Sequence, residues 1–402
     1  MREVCKRLSF TIFIVAIFFL GSIAPLPSVT YLSTGSNRIQ ELFNLVSGGT
    51  LSKFGFLALG ISPYVTSSII IQMLSKDIVK PLARLREQGQ AGQVKINQII
   101  RICTLIIAAI SASTLVFSAK LASTFGASIN VSTFEKVLLV CIMTFGAVTV
   151  TYLGEQINKN GIGQGLSVLV SFGVLSQITK SIKIIVQANN HSAAYKQTLG
   201  IILVSVLAMC ILAVYGNSKE FKYHIQSSKN DKYIRAHYLP IKPLMSSMVP
   251  VIFVSSLYAV MNVLNLHFAW NLQWTNLNTR QGFVAYVLII MIFTMLYNLV
   301  QIDGDDISKN LNKNSSYIIN VPVNETSTFI DKNVLKISII GGIFLALLAT
   351  LSIISNFISP LKLNLGLSGI SLLIVIGTIS EIIHQARGLV SKAKYKPIME
   401  ES

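Results

Sequence analysis

Apolar runs long enough to cross a lipid bilayer recur along the whole chain and constrain its fold more than any other feature. They fall near residues 8–29, 98–122, 134–154, 164–187, 197–217, 245–266, 282–302, 334–357 and 367–386, with a broken one over 46–78. A hydrocarbon core of about 30 Å takes about 20 helical residues. Lipid offers no partner to a backbone N–H or C=O, so spanning segments of this length are helices. The chain is therefore expected to be an all-α polytopic membrane protein of about ten transmembrane helices. Its charge content agrees: 12% of residues are charged and 52% hydrophobic, whereas a soluble domain carries about a quarter charged residues.

The net charge of +17 sits between the apolar runs, not on a soluble scaffold that could present it to nucleic acid. With the N-terminus inside, the cytosolic loops hold Lys80, Arg84, Arg86, Lys95 and Lys159, the cluster Lys219 to Lys242, and Lys309 to Lys336. The other side keeps far fewer cations, the alternation that the positive-inside rule requires. Both termini are expected in the cytosol of a multi-pass plasma-membrane protein. Arg2, Lys6 and Arg7 before Phe10 to Ile23 could open a signal peptide, but the apolar part exceeds that length and the segment reads as the first membrane helix. Five spans precede residue 196 and five follow, so the halves 1–195 and 196–402 are expected in opposite orientations, as in inverted-repeat architectures.

No catalytic constellation is present. The five histidines are isolated, and Cys5, Cys103, Cys141 and Cys210 have no metal-ligand or redox spacing. Gly161, Gly163 and Gly165 in Asn160-GIGQG follow no strand and precede no Walker lysine, so they form a tight turn into a helix. No enzyme activity, cofactor or metal is expected.

The stretch from Ala58 to Gln98 is unusual. Gly60 and Pro63 break it, and Ser62, Thr66, Ser67 and Ser68 alternate with aliphatic residues before a basic, glycine-containing loop. Such a helix suits a polar lining or a protein contact more than lipid. Upstream, residues 46–59 would reach only about 20 Å as a helix, a half-length piece tolerated inside a protein cavity.

Four motifs carry a resemblance. GISPYVTSSIIIQ with Glu87, Gly89, Ala91 and Gly92, Tyr152-LGEQINKNGIGQGLSVLV, Tyr238-LPIKPLMSSMVPVIFVSSL and Gly369-ISLLIVIG resemble, in order, motifs of the SecY family of protein-conducting channels. The resemblance implies an hourglass pore, a plug over about 47–58 (Ser47, Gly48, Gly49, Phe54, Phe56) and a lateral gate between the second and seventh helices (Ser62, Thr66, Ser67 against Ser255, Ser256). Glycines in the plug lower helix stability by about 1 kcal/mol each, which suits a segment that must move. It also implies a pore ring of Ile61, Val65, Leu166, Val170, Ile252 and Ile374. All six are aliphatic, and such a ring excludes water and ions without a charged gate.

The family resemblance further implies a SecA-type motor ATPase on the cytosolic loops 218–244 and 303–333, SecE- and SecG-like small subunits, and an unfolded preprotein as substrate. Lys229, Lys232, Arg235, Lys242, Arg84 and Arg86 are the expected docking cations. The family's loop arginine is missing from Asp303-GDDISKNLNKNSSYIINVPVNETSTFIDK. In this the chain resembles the accessory members of Gram-positive bacteria, which pair with a dedicated motor and export serine-rich glycosylated adhesins. The rival reading is a secondary transporter of a small solute, which would need a charge inside the membrane.

Overall fold

Apolar runs whose backbone must pair internally do become helices. The computed structural model describes residues 2–26, 30–31, 55–75, 79–117, 127–128, 132–187, 193–227, 237–243, 250, 253–255, 257–258, 261, 265, 274, 279–313, 315–319, 321–358 and 369–400. The first half contains α1 (Arg2–Ile23), α2 (Ser62–Leu74), α3 (Lys80–Glu87), α4 (Gln90–Phe117), α5 (Thr133–Asn160) and α6 (Gly165–Gln187). The second contains α7 (Ala193–Ser218), α8 (Arg280–Gln301), α9 (Gly304–Lys313), α10 (Thr326–Ile358) and α11 (Gly369–Glu400). Among the described residues, 6 helical stretches are long and apolar enough to cross a membrane. The described residues of the expected seventh span, between 250 and 265, are all helical.

The helix starts have local causes. Ser132 and Glu135 form a capping box at α5, with Glu135 N–H donating to Ser132 Oγ (3.4 Å) and Ser132 N–H to Glu135 Oε2 (3.2 Å). A cap of this kind contributes about 1 kcal/mol. Thr279 caps α8 by accepting from Gly282 N–H at 3.1 Å. Hydroxyls inside spans return to their own helix: Thr104 donates to Ile100 O, Thr151 to Ala147 O and Thr294 to Ile290 O. Polar side chains thus enter the membrane already satisfied.

The burial pattern inverts that of a soluble bundle. On α4, Ile102, Ile106 and Ile110 are exposed, while Ala108 and Ala112 are fully buried against Leu139, Met143 and Ala147 of α5. Small residues let backbones approach, and the large aliphatics meet lipid. Within the first half α4 packs on α2 and α5, and α6 on α5; within the second α10 packs on α7 and α8. Between the halves, α11 packs on α1 and α6.

The basic stretch after α2 contains the short helix α3, a turn at Gly89 (φ +68), and the first turns of α4. Glycine is suited to that left-handed position. The loops 218–244 and 303–333 share a sheet. β3 (Phe221–Ser227) pairs antiparallel with both β4 (His237–Ile241) and β5 (Ser316–Ile318), so one three-stranded sheet of order β4-β3-β5 joins them. Ile241, Ile318, Ile302 and Ile330 are buried beneath it, and Tyr223 meets Phe329 edge-on at 5.9 Å. That burial pushes the Tyr223 phenol above its ordinary value. Elsewhere β1 (Thr30–Tyr31) pairs antiparallel with β2 (Ala127–Ser128).

Candidate functional site

One buried apolar cluster runs through the centre of the molecule and draws on both halves. It takes Ile61, Val65 and Ile69 from α2 and the turn before it. Val168, Leu169, Val170 and Val174 come from α6, Val254 and Tyr258 from the seventh span, and Leu373 and Ile374 from α11. Of the expected ring, Ile61 is 1% exposed, Val65 8%, Val170 0% and Ile374 1%. Leu166 is half-buried and packs against the cluster. Ile252 lies outside the described residues; Val254, two positions on, is fully buried. Residues remote in sequence are therefore buried in one cluster.

Among the described residues, every buried polar side chain is Ser, Thr or Asn, and none is charged. One charged pair joins two helices: Arg101 on α4 grips Glu155 on α5 through both forks of its guanidinium, Nε donating to Oε1 at 2.7 Å. A solute carrier coupled to ions ordinarily keeps a charge inside the bundle.

The glycine turn between α5 and α6 is held from three directions. Ile162 N–H donates to Thr11 Oγ1 of α1 (3.0 Å), Gly163 N–H to Gln385 Oε1 of α11 (2.7 Å), and Gly165 N–H to Asn158 Oδ1 of α5 (2.6 Å). Gly163 has φ +92, and a Cβ on Gly165 would lie 1.9 Å from the Gly154 carbonyl oxygen. The glycines thus serve left-handed backbone and close approach, as a tight turn requires. Their partners Thr11 and Gln385 carry no motif of their own, and sequence reasoning missed them.

The hydroxyl run bonds within its own segment. Ser62 donates to Leu59 O (3.3 Å), Thr66 to Ser62 O (2.9 Å) and Ser67 to Pro63 O (2.7 Å), all within their own segment. Ser255 shares a 3.4 Å hydrogen bond with Tyr286 of α8. Among the described residues, no hydrogen bond joins these hydroxyls across α2 and the seventh span. Ser256 lies outside the described residues.

Ser47, Gly48, Gly49 and Phe54 also lie outside the described residues. From Gly55 onward the segment forms turns, not helix, with Gly60 at φ +54. Phe56 N–H donates to Ala24 O at 2.9 Å, and its ring meets Phe145 of α5 at 6.0 Å. A Cβ on Gly146 would lie 2.1 Å from the Phe56 carbonyl oxygen, so α5 has a glycine where this segment crosses it. Of the expected docking cations, Arg84 is exposed on α3. Lys242 is paired with Glu220 at 3.3 Å. Lys229, Lys232, Arg235 and the Arg86 side chain lie outside the described residues.

A helical bundle with several apolar membrane-length helices and a packed, uncharged aliphatic cluster at its junction is a polytopic membrane protein. The sequence profile of SecY matches residues 55–383. The chain is 30% identical over 416 residues to the protein translocase subunit SecY of Staphylococcus aureus (strain NCTC 8325 / PS 47), covering 98% of this chain and 96% of that one. In fold it is similar to a solved protein-conducting channel, with TM-score 0.68 and 15% identity over 95% of this chain and 92% of the other. It is also similar, at TM-score 0.66 and 16% identity over the same shares, to a SecY whose plug domain stabilises the closed state and maintains a membrane seal. The chain belongs to the SecY family of protein-translocation channels.

Proposed function

We propose that this channel passes unfolded secretory polypeptides across a bacterial cytoplasmic membrane, with Ile61, Val65, Leu166, Val170, Ile252 and Ile374 as its constriction. The single observation that carries this reading is the burial of four of these residues in one uncharged cluster spanning both halves. A ring of aliphatic side chains excludes water when closed and fits any extended chain when open, because nothing in it must keep a fixed hydrogen bond. The absence of buried charge among the described residues disfavours the solute-transporter reading.

In this reading both termini and the three-stranded sheet face the cytosol, in keeping with the loop charges. The halves 1–195 and 196–402 are inverted repeats. Residues 47–58 are the plug, and α2 parts from the seventh span as the lateral gate. A SecA-type motor docks on the sheet, and SecE- and SecG-like subunits brace the bundle. The loop 303–333 has neither arginine nor Pro-Gly, and it is occupied by α9, β5 and a 3-10 turn. That supports an accessory channel with its own motor and serine-rich glycosylated adhesins as cargo. The test is reconstitution with the housekeeping and the accessory motor in turn, reading translocation-stimulated ATP hydrolysis. Strong stimulation by the accessory motor alone is expected. Equal stimulation by both would remove the accessory reading, and stimulation by neither would remove the motor.

A further inference from the structure

Lys242 and Pro243 lead from β4 into the helical bundle, and both are held there. Pro243 is buried, and its carbonyl accepts from Asn298 Nδ2 of α8 at 3.4 Å. A Cβ on Gly341 of α10 would lie 2.3 Å from that carbonyl oxygen, so the segment is pressed against two helices. Lys242 pairs with Glu220 at 3.3 Å. Glu220 immediately precedes β3, so this pair closes the open end of the β3-β4 hairpin. The same ammonium acts electrostatically on Glu381 of α11. One cation therefore serves a carboxylate of the sheet and another of the bundle.

Glu381 lies on the helix stripe that reaches the aliphatic cluster. Ile374, Thr378, Glu381 and Gln385 follow one another at spacings of four, three and four, and so share one side of α11. Ile374 and Thr378 are buried, and Glu381 is half-buried. Gln385 Nε2 donates to Glu381 Oε1 at 3.4 Å, and Gln385 Oε1 accepts from Gly163 N–H at 2.7 Å. Ile382, from the same turn of α11, sits against Gly163, where a Cβ would lie 3.0 Å from its Cγ1. Leu166 and Val170 follow Gly163 closely on α6. Charge and hydrogen bonds thus lead from the sheet to two helices, one in each half, that both supply residues of the constriction.

We propose that Lys242, Glu381 and Gln385 are positioning residues that form a latch between the cytosolic sheet and the constriction. While Lys242 attends Glu381, α11 and the glycine turn stay together and the aliphatic ring stays packed. A partner that seats a carboxylate against Lys242 competes for the ammonium and loosens both. The latch rests on the reading of the aliphatic cluster as the constriction and of the sheet as the docking surface.

The test is a double-mutant cycle on resting potassium efflux from proteoliposomes, with Ile61→Ala measured alongside. Each variant is measured in the full chain and with residues 47–57 deleted. Lys242→Gln and Glu381→Gln should each raise efflux about 10-fold, within the range of couplings between sites. Together they should raise it no further than either alone, because both break the same link. Lys242→Arg should keep the seal, and so should His384→Gln, exposed on α11. Equal thermal midpoints separate a loosened latch from a loosened fold. A second arm joins Lys242→Cys to Glu381→Cys through a reducible thiosulfonate bridge, with the 4 natural cysteines changed to Ser. The bridged channel should still bind the motor but export nothing until reductant is added. Background efflux from both glutamine variants, with Ile61→Ala leaking, would overturn the latch and leave the constriction standing. Background efflux from Ile61→Ala as well would remove the constriction and the latch with it. Additive effects in the double variant, or undiminished export by the bridged channel, would overturn the latch alone.

Discussion

Replacing Ile61 with Ala should make the resting channel leak ions. Ile61 is 1% exposed and packs with Val65, Val170 and Ile374 in the central cluster. Removing a buried Ile side chain down to Ala costs about 2–5 kcal/mol. That cost falls on the closed state, where the side chain is packed. It largely vanishes in an open state, where the ring faces water and the contacts are already lost. At 1.4 kcal/mol per decade the open population should rise roughly 30- to 4,000-fold. The assay is single-channel recording in planar bilayers, with potassium efflux from proteoliposomes as a population measure. Ile61→Leu, which nearly conserves volume, should stay near background. Ile102→Ala, at a position 63% exposed on the outer face of α4, should stay there too. Because a plug could mask the effect, each variant is also measured with residues 47–57 deleted. Background conductance of Ile61→Ala in both settings would refute the assignment of the constriction.

Gly165→Ala should lower the thermal midpoint in detergent, because its Cβ would lie 1.9 Å from the Gly154 carbonyl oxygen and overpacking costs about 1–3 kcal/mol. Gly388→Ala, with nothing within 4 Å, should leave it unchanged or higher. Gln385→Ala should destabilise by about 1–3 kcal/mol, since it orphans the Gly163 N–H; an unchanged midpoint would mean that the three-way clamp on the turn is dispensable. Cysteines placed on α2 and the seventh span should crosslink in the resting protein and block export, and undiminished export by the crosslinked channel would exclude a lateral gate there. Motor binding should weaken steeply with salt, because exposed charges are screened beyond about 8 Å at physiological ionic strength; salt-independent binding would point to the sheet's apolar residues, such as Phe221 and Tyr317, instead of its lysines.

The sequence by itself determined which segments leave water. A run such as Val137 to Val150 is apolar whatever surrounds it, and lipid forces its backbone into a helix. The family could be read for a related reason, since Tyr152-LGEQINKNGIGQG and its companion motifs are contiguous strings. Even the glycine turn was legible, because left-handed backbone and close approach leave their mark in the residues that adopt them. Only the tertiary structure decided who meets whom. Thr11 reaches Ile162 across 151 positions and Gln385 reaches Gly163 across 222, with no periodicity to announce either. The hydroxyls of α2 looked like a polar seam, yet Ser62, Thr66 and Ser67 each find a carbonyl one turn back. The loops 218–244 and 303–333 are far apart in sequence, yet β3 pairs on one edge with β4 of its own loop and on the other with β5. Local composition sets the solvent each segment prefers. Pairing between segments depends on distances that exist only once the helices have packed.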